Sequence, residues 1–260
     1  MVKNIFVFLL LFLSVASSSE SGVLSFRAKQ SLAAGRYAKA YTQLEKALLA
    51  TRKESDLLAE GRVLIAMAQI RTQSLDFVLA DSLLSVVRQD ALDTASIVAW
   101  VQAKMMLLNA QEKYDKTLKI AKTVSEDMLD ESPDILQGYF WSEQALALIA
   151  LKKSQEARSI YKKAKKELSE DKSSYDLIQA RAAHLEKRFS QADSLYAEAA
   201  AKAIEENNTY ISASILFYRA QIALKQQRIS DAKDYLKRSA QAFELMGLPN
   251  NQKRSERLIP

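Results

Sequence analysis

Cysteine is absent from all 260 residues. That excludes disulfides, thiol catalysis, cysteine-bound metal and a lipid-modified N-terminal cysteine. Glycine occurs 5 times and proline 3 times, against roughly 7% and 5% in an average protein. Sandwiches and barrels need many tight turns, and such turns draw on glycine, proline, asparagine and aspartate. Their scarcity speaks against β architecture. Histidine occurs once, at His184, so neither a two-histidine metal site nor a histidine relay can be assembled. There is no glycine-rich phosphate loop and no Gly-x-Ser-x-Gly elbow. The carboxylate pairs Asp130-Glu131, Glu170-Asp171 and Glu205-Glu206 fall near expected helix ends, where solvated acids are common. We therefore expect no enzyme, no metal and no cofactor.

What the chain does contain is alanine, leucine, lysine, glutamine and glutamate, which are good helix formers. Its 37 basic and 31 acidic side chains are interspersed and leave a formal charge of +6. This balance describes a solvated surface; the alternative is contact with an anionic cell-wall polymer or lipid headgroups. Residues 1–19 have the three parts of a secretory signal. Lys3 opens it, Ile5 to Leu13 is unbroken apolar sequence, and Ser14-Val15-Ala16 precedes Ser17-Ser18-Ser19. Cleavage is expected after Ala16, Ser17 or Ser18, giving a periplasmic or secreted bacterial protein. An uncleaved N-terminal membrane anchor is the competing reading, but a helical span needs roughly 20 apolar residues. Nucleic acid is not an expected partner of an exported protein.

From about Ser21 to Leu248 the apolar residues recur at helical spacing, and a longer period lies over them. Ala40, Ala80, Thr117, Ala157, Ala192 and Ala232 are separated by 40, 37, 40, 35 and 40 residues. Three residues before these anchors stand Tyr37, Phe77, Tyr114, Ser154, Phe189 and Ile229. Four after them come Leu44, Leu84, Ala121, Tyr161, Tyr196 and Leu236. Twelve before, on a preceding helix, lie Ala28, Ala68, Met105, Ala145, Ala180 and Ala220. Small residues at these places let two antiparallel helices approach closely, and hairpins stack because one alone cannot bury its apolar face. The expected fold is an all-α solenoid of about twelve antiparallel helices over 20–248, with a polar, basic tail at 249–260. Asp93, Ser173 and Asn208 are expected helix caps, and Ser132-Pro133 is expected to place an N-cap before a proline in the first turn.

The segment Ala34-Gly35-Arg36-Tyr37-Ala38-Lys39-Ala40-Tyr41-Thr42-Gln43-Leu44-Glu45-Lys46-Ala47-Leu48 resembles the tetratricopeptide repeat, and Trp141 stands where that family favours tryptophan. About six degenerate repeats are similar to it. The family period is about 34 residues, so helices here are longer or turns looser, and the third repeat, with Met105, Thr117 and Ala121, matches worst. The resemblance implies a scaffold that holds a peptide or partner protein in the groove lined by the first helix of each pair. It implies groove residues Lys29, Arg62, Gln69, Gln102, Asn109, Tyr139, Ser142, Arg181, His184, Phe217 and Gln221, a set without an acid and suited to a neutral or acidic ligand. The family's carboxylate clamp, a Lys/Asn constellation across adjacent repeats, is not found. The alternative is a structural or self-assembling envelope protein that touches an anionic surface through basic outer residues such as Lys162, Lys163, Lys165 and Lys166.

Overall fold

A computed structural model describes residues 19–168 and 171–260. The described residues hold fourteen α-helices, one short 3-10 turn (Gln89–Ala91) and no strand. The signal sequence lies outside them except for Ser19. The fold is all-α, with helices packed in succession as in a solenoid. Its contacts divide it into two compact units, one up to Glu167 and one from Leu168 to Pro260.

The first unit contains four hairpins: α1 (Glu20–Ala33) with α2 (Tyr37–Glu54), α3 (Leu57–Gln73) with α4 (Phe77–Ser85), α5 (Thr94–Ala110) with α6 (Tyr114–Ala121), and α8 (Asp134–Ala150) with α9 (Ser154–Glu167). A five-residue helix, α7 (Glu126–Asp130), fills the gap after α6. The second unit contains α10 (Lys172–Leu185) with α11 (Phe189–Glu205), α12 (Thr209–Lys225) with α13 (Ile229–Leu245), and a final α14 (Pro249–Glu256) packed on α13.

The anchor residues do what their size demands. All six are buried, at 0 or 1% exposure, as are Ala28, Ala68, Met105, Ala145, Ala180 and Ala220 opposite them. The register is kept to the residue. Each second helix begins three residues before its anchor, at Tyr37, Phe77, Tyr114, Ser154, Phe189 and Ile229. Five residues before each anchor the chain turns through the left-handed region, at Gly35 (φ 68°), Leu75 (60°), Glu112 (60°), Lys152 (63°), Lys187 (60°) and Gln227 (59°).

The hydrogen bonds of these turns are the same throughout. In the first, Arg36 N–H donates to Ser31 C=O and Gly35 N–H to Leu32 C=O, each at 2.8 Å; in the last, Arg228 donates to Ala223 and Gln227 to Leu224. This is the Schellman closure of a helix end, in which the left-handed residue is usually glycine. Here only one of the six is. Within the hairpins every turn spans three residues, so the long period comes from the helices and, after the short α4 and α6, from the longer connections 86–93 and 122–133. Four of the first helices have 17 residues, and α1 and α10 have 14.

The worst-matching middle of the pattern has a structural counterpart. Second helices α4 and α6 have 9 and 8 residues, where α2 has 18 and α11 and α13 have 17. The Trp100 indole N–H donates to Leu84 C=O at 2.9 Å and so satisfies the end of α4. Gly61 allows the following loop to close on α3, since a Cβ there would lie 2.5 Å from Leu92 Cδ2.

Two expected caps differ. Asp93 and Asn208 do accept from backbone N–H groups three residues on. For α10 the cap is Asp171, whose carboxylate accepts from Ser174 N–H, and Ser173 is buried inside the first turn. Ser132 does not cap α8, because its hydroxyl donates back to Met128 C=O at 2.7 Å and Pro133 takes the cap position. The expected tail also differs: Pro249 opens α14, and Asn251 and Ser255 are buried. Ser255 Oγ lies 3.1 Å from Ser239 Oγ on α13, a contact that needs two small polar side chains.

Candidate interaction face

Within the first unit the first helices lie side by side, α3 against α5 and α5 against α8. This brings Arg62, Gln69, Gln102, Asn109, Tyr139 and Ser142 onto neighbouring helices. Most of their polar groups are used inside the protein. Arg62 binds Asp93 at 2.6 Å and donates through Nε to Ser96 Oγ at 3.0 Å, so it pins the start of α5. Burial alone would raise the Asp93 pKa; hydrogen bonds from Ser96 and the Arg62 guanidinium outweigh it and hold the carboxyl below its usual value.

Gln69 and Gln102 are buried and hydrogen-bonded to each other at 3.1 Å. Asn109 Nδ2 donates to Glu143 C=O at 2.8 Å and to its carboxylate at 2.7 Å, while Asn109 Oδ1 accepts from Thr117 at 2.8 Å. One amide thus ties α5 to α6 and α8. Ser142 donates to Gly138 C=O. Buried polar groups are costly unless paired in this way. Lys29 and Tyr139 remain half-buried, and burial lowers the Lys29 pKa.

In the second unit α10 packs on α12 and brings Arg181, His184 and Phe217 together with two tyrosines, while Gln221 lies one turn after Phe217 on α12. The Tyr196 and Tyr218 rings stack 5.6 Å apart, 11° from parallel. His184 stands edge-on to both and to Phe189, with Nδ1 3.4 Å from the Tyr196 hydroxyl. The Arg181 guanidinium lies 5.4 Å from the Tyr218 ring, and the Arg254 guanidinium 3.9 Å from the buried Phe217 ring.

No protein family and no curated protein matches this chain. The site is therefore argued from its own geometry. Among the described residues no group of three or more His, Asp or Glu side chains could hold a metal ion.

Burial, and then the nearby Arg181, lower the His184 pKa below its ordinary 6.5. A lowered histidine pKa favours the neutral folded form. Its stabilising contribution is complete above about pH 6.5 and is lost as pH falls through the lowered folded value. Because His184 is the only histidine, its imidazole resonances can be followed without ambiguity by NMR. The titration midpoint should fall below 6.5. In His184→Gln the part of the acid sensitivity found near pH 6 should disappear; an unchanged melting profile between pH 5 and 7 would contradict this account.

Two residues of this cluster, Tyr210 and Tyr218, were not singled out by sequence reasoning, and Arg254 was read only as part of the basic tail. For Arg254 a signal exists. It is the sixth residue of α14, as Arg62 is the sixth of α3, and extending the period past Leu248 would have found it.

Proposed function

We propose that this chain is an exported scaffold of tetratricopeptide-like repeats that holds a peptide or partner protein along the face of its first helices. The observation that carries the reading is the constant register of the hairpins. First helices α3, α5 and α8 in one unit, and α10 and α12 in the other, lie beside one another, so the same helical positions recur as a row of amide, aromatic and arginine side chains. A row of that kind suits an extended peptide or a partner helix, whose own contacts repeat at regular intervals. Repeats hold many unrelated ligands, so the partner follows from side chains and not from fold.

Export supports the same reading. Removal of the leader after Ala16, Ser17 or Ser18 leaves Ser19 in place, and Ser19 Oγ accepts from Gly22 N–H at 3.1 Å to cap α1. No helix among the described residues is long and apolar enough to cross a membrane.

Of the row, Tyr139 and Gln221 are the positions best suited to a test, because they are half-buried and so still reach the surface. A photo-crosslinking amino acid at either should capture a partner in cells of the native host. The same group at the exposed outer residues Lys162 and Lys233 should capture little. Capture from the outer positions alone would overturn the groove and favour a surface contact through the outer helices.

A further inference from the structure

We propose that Asn207, in the connection between α11 and α12, accepts an N-linked oligosaccharide. The site rests on the export reading above, because sugar is transferred to asparagine on exported chains, and it is independent of the groove.

The acceptor pattern occurs once. Of the six asparagines only Asn207 is followed two places on by serine or threonine, in Asn207-Asn208-Thr209, and the residue between is not proline. An asparagine at this spacing from a hydroxyl is the acceptor in N-glycosylation, where it stands in a surface loop of an exported protein. The bacterial form of the pattern also asks for an acid two residues earlier. Glu205 stands there and is exposed, as are Asn207 and Thr209.

The fold accounts for part of this segment and not for the rest. The connection closes as the hairpin turns do: Asn208 N–H donates to Ala203 C=O at 2.6 Å and Asn207 N–H to Ile204 C=O at 3.0 Å. Asn207 takes a left-handed φ of 53°, which asparagine adopts more readily than most residues. Ser55 and Gly247 do the same at the connections α2–α3 and α13–α14, so the turn does not require an asparagine. The Asn208 amide is in use, since it is buried and its Oδ1 accepts from Ile211 N–H at 3.1 Å to cap α12. The Asn207 amide is not. Its backbone makes the closing bonds, its carbonyl accepts from Thr209 N–H at 3.1 Å, and its side chain has no hydrogen bond among the described residues. The Thr209 hydroxyl meets the Met246 sulfur at 3.6 Å, a weak acceptor that a transferase can displace. A free amide, a weakly held hydroxyl and an acid are thus exposed on one tight turn.

The donor is an oligosaccharide carried on a lipid pyrophosphate. Asn207 Nδ2 forms a bond to the anomeric carbon, and the bond from that carbon to the pyrophosphate oxygen breaks. Its electron pair leaves with the lipid pyrophosphate, and one Nδ2 proton passes to a base of the transferase.

The full chain isolated from the envelope of its native host gives the test, by mass spectrometry of the intact protein. Its mass should exceed that of the leader-free polypeptide by an oligosaccharide, and fragmentation of the tryptic peptide 203–219 should place the excess on Asn207. Asn207→Gln and Thr209→Val should each abolish the excess, whereas Thr209→Ser, which keeps the hydroxyl, should retain it. Asn207→Gln should melt as the unaltered chain does, because Gln227 holds the same left-handed position in a turn closed by the same bonds. An excess that survives Asn207→Gln, or that lies on another residue, would overturn the site. Chain recovered without its leader and without added mass would overturn the site and leave export standing. Unmodified chain found in the cytoplasm would overturn the export reading with it, while the groove is judged separately by crosslinking at Tyr139 and Gln221.

Discussion

Replacing Glu112, Lys152, Lys187 and Gln227 with glycine in one chain should raise the stability by roughly 2–4 kcal/mol, about 0.5–1 kcal/mol for each turn. All four residues are exposed and occupy the left-handed region. An L side chain there crowds the following carbonyl and costs roughly 1–2 kcal/mol, which glycine avoids. Part of the gain is offset by glycine's greater freedom in the unfolded chain. Nothing else at these sites should change, because the closing bonds are made by backbone groups. Urea unfolding followed by circular dichroism gives the measurement. A midpoint that does not rise would mean that the side chains at these turns make contacts outweighing the strain. The converse substitution, Gly35→Ala, should lower the midpoint.

Tyr196→Ala should cost the second unit roughly 3–5 kcal/mol, the range for emptying a large aromatic site. Tyr196 is fully buried among Ala180, Ala183, Ala192 and Ala199 and stacks on Tyr218. Small residues surround it on several sides, so the hole could not be refilled without moving helices. The same change would open His184 to water and return its pKa toward 6.5, a second readout that ordinary loss of packing elsewhere would not produce. Tyr196→Phe keeps the stack and removes only the 3.4 Å contact to His184, so its effect on melting should be small. Hydrogen exchange of residues 171–260 reports both variants. If Tyr196→Ala protects these amides as well as the parent does, the aromatic cluster is not what holds this unit together.

Much of the architecture could be read from residue size. Small side chains at six in-phase anchors predicted close helix contacts, and the buried Ala40, Ala80 and Ala192 bear this out. The residues three places earlier, bulky in all repeats but the fourth, prove to be the first residues of the second helices. The source of the long period was not legible, because sequence spacing does not distinguish a longer helix from a longer connection; the structure uses long helices in most hairpins and extended connections at 86–93 and 122–133. The caps at Ser132 and Ser173 were misplaced for a local reason. A serine hydroxyl has several partners within reach, and Ser132 finds Met128 while Asp171 reaches the open N–H group first.

The candidate face was legible as a face but not in its depth. Helical offset says which side of a helix Gln69, Gln102 and Asn109 occupy. It does not say how far the neighbouring helix covers them, and in the structure they bond to one another's helices. Arg254 was read as part of a basic tail and not of the face, because residues 249–260 are polar and carry no apolar stripe. Two small buried residues, Asn251 and Ser255, are enough to seat that helix.

The stunted outer helices α4 and α6 bear on where this protein comes apart first. A helix of eight or nine residues is too short to persist by its own backbone bonds in water, so each survives only while α3 and α5 support it from beneath. Such a stretch can peel away and reseat without disturbing the long hairpins on either side, as local openings in folded proteins do. A protease, or a partner in search of an unpaired edge, would find its point of entry there.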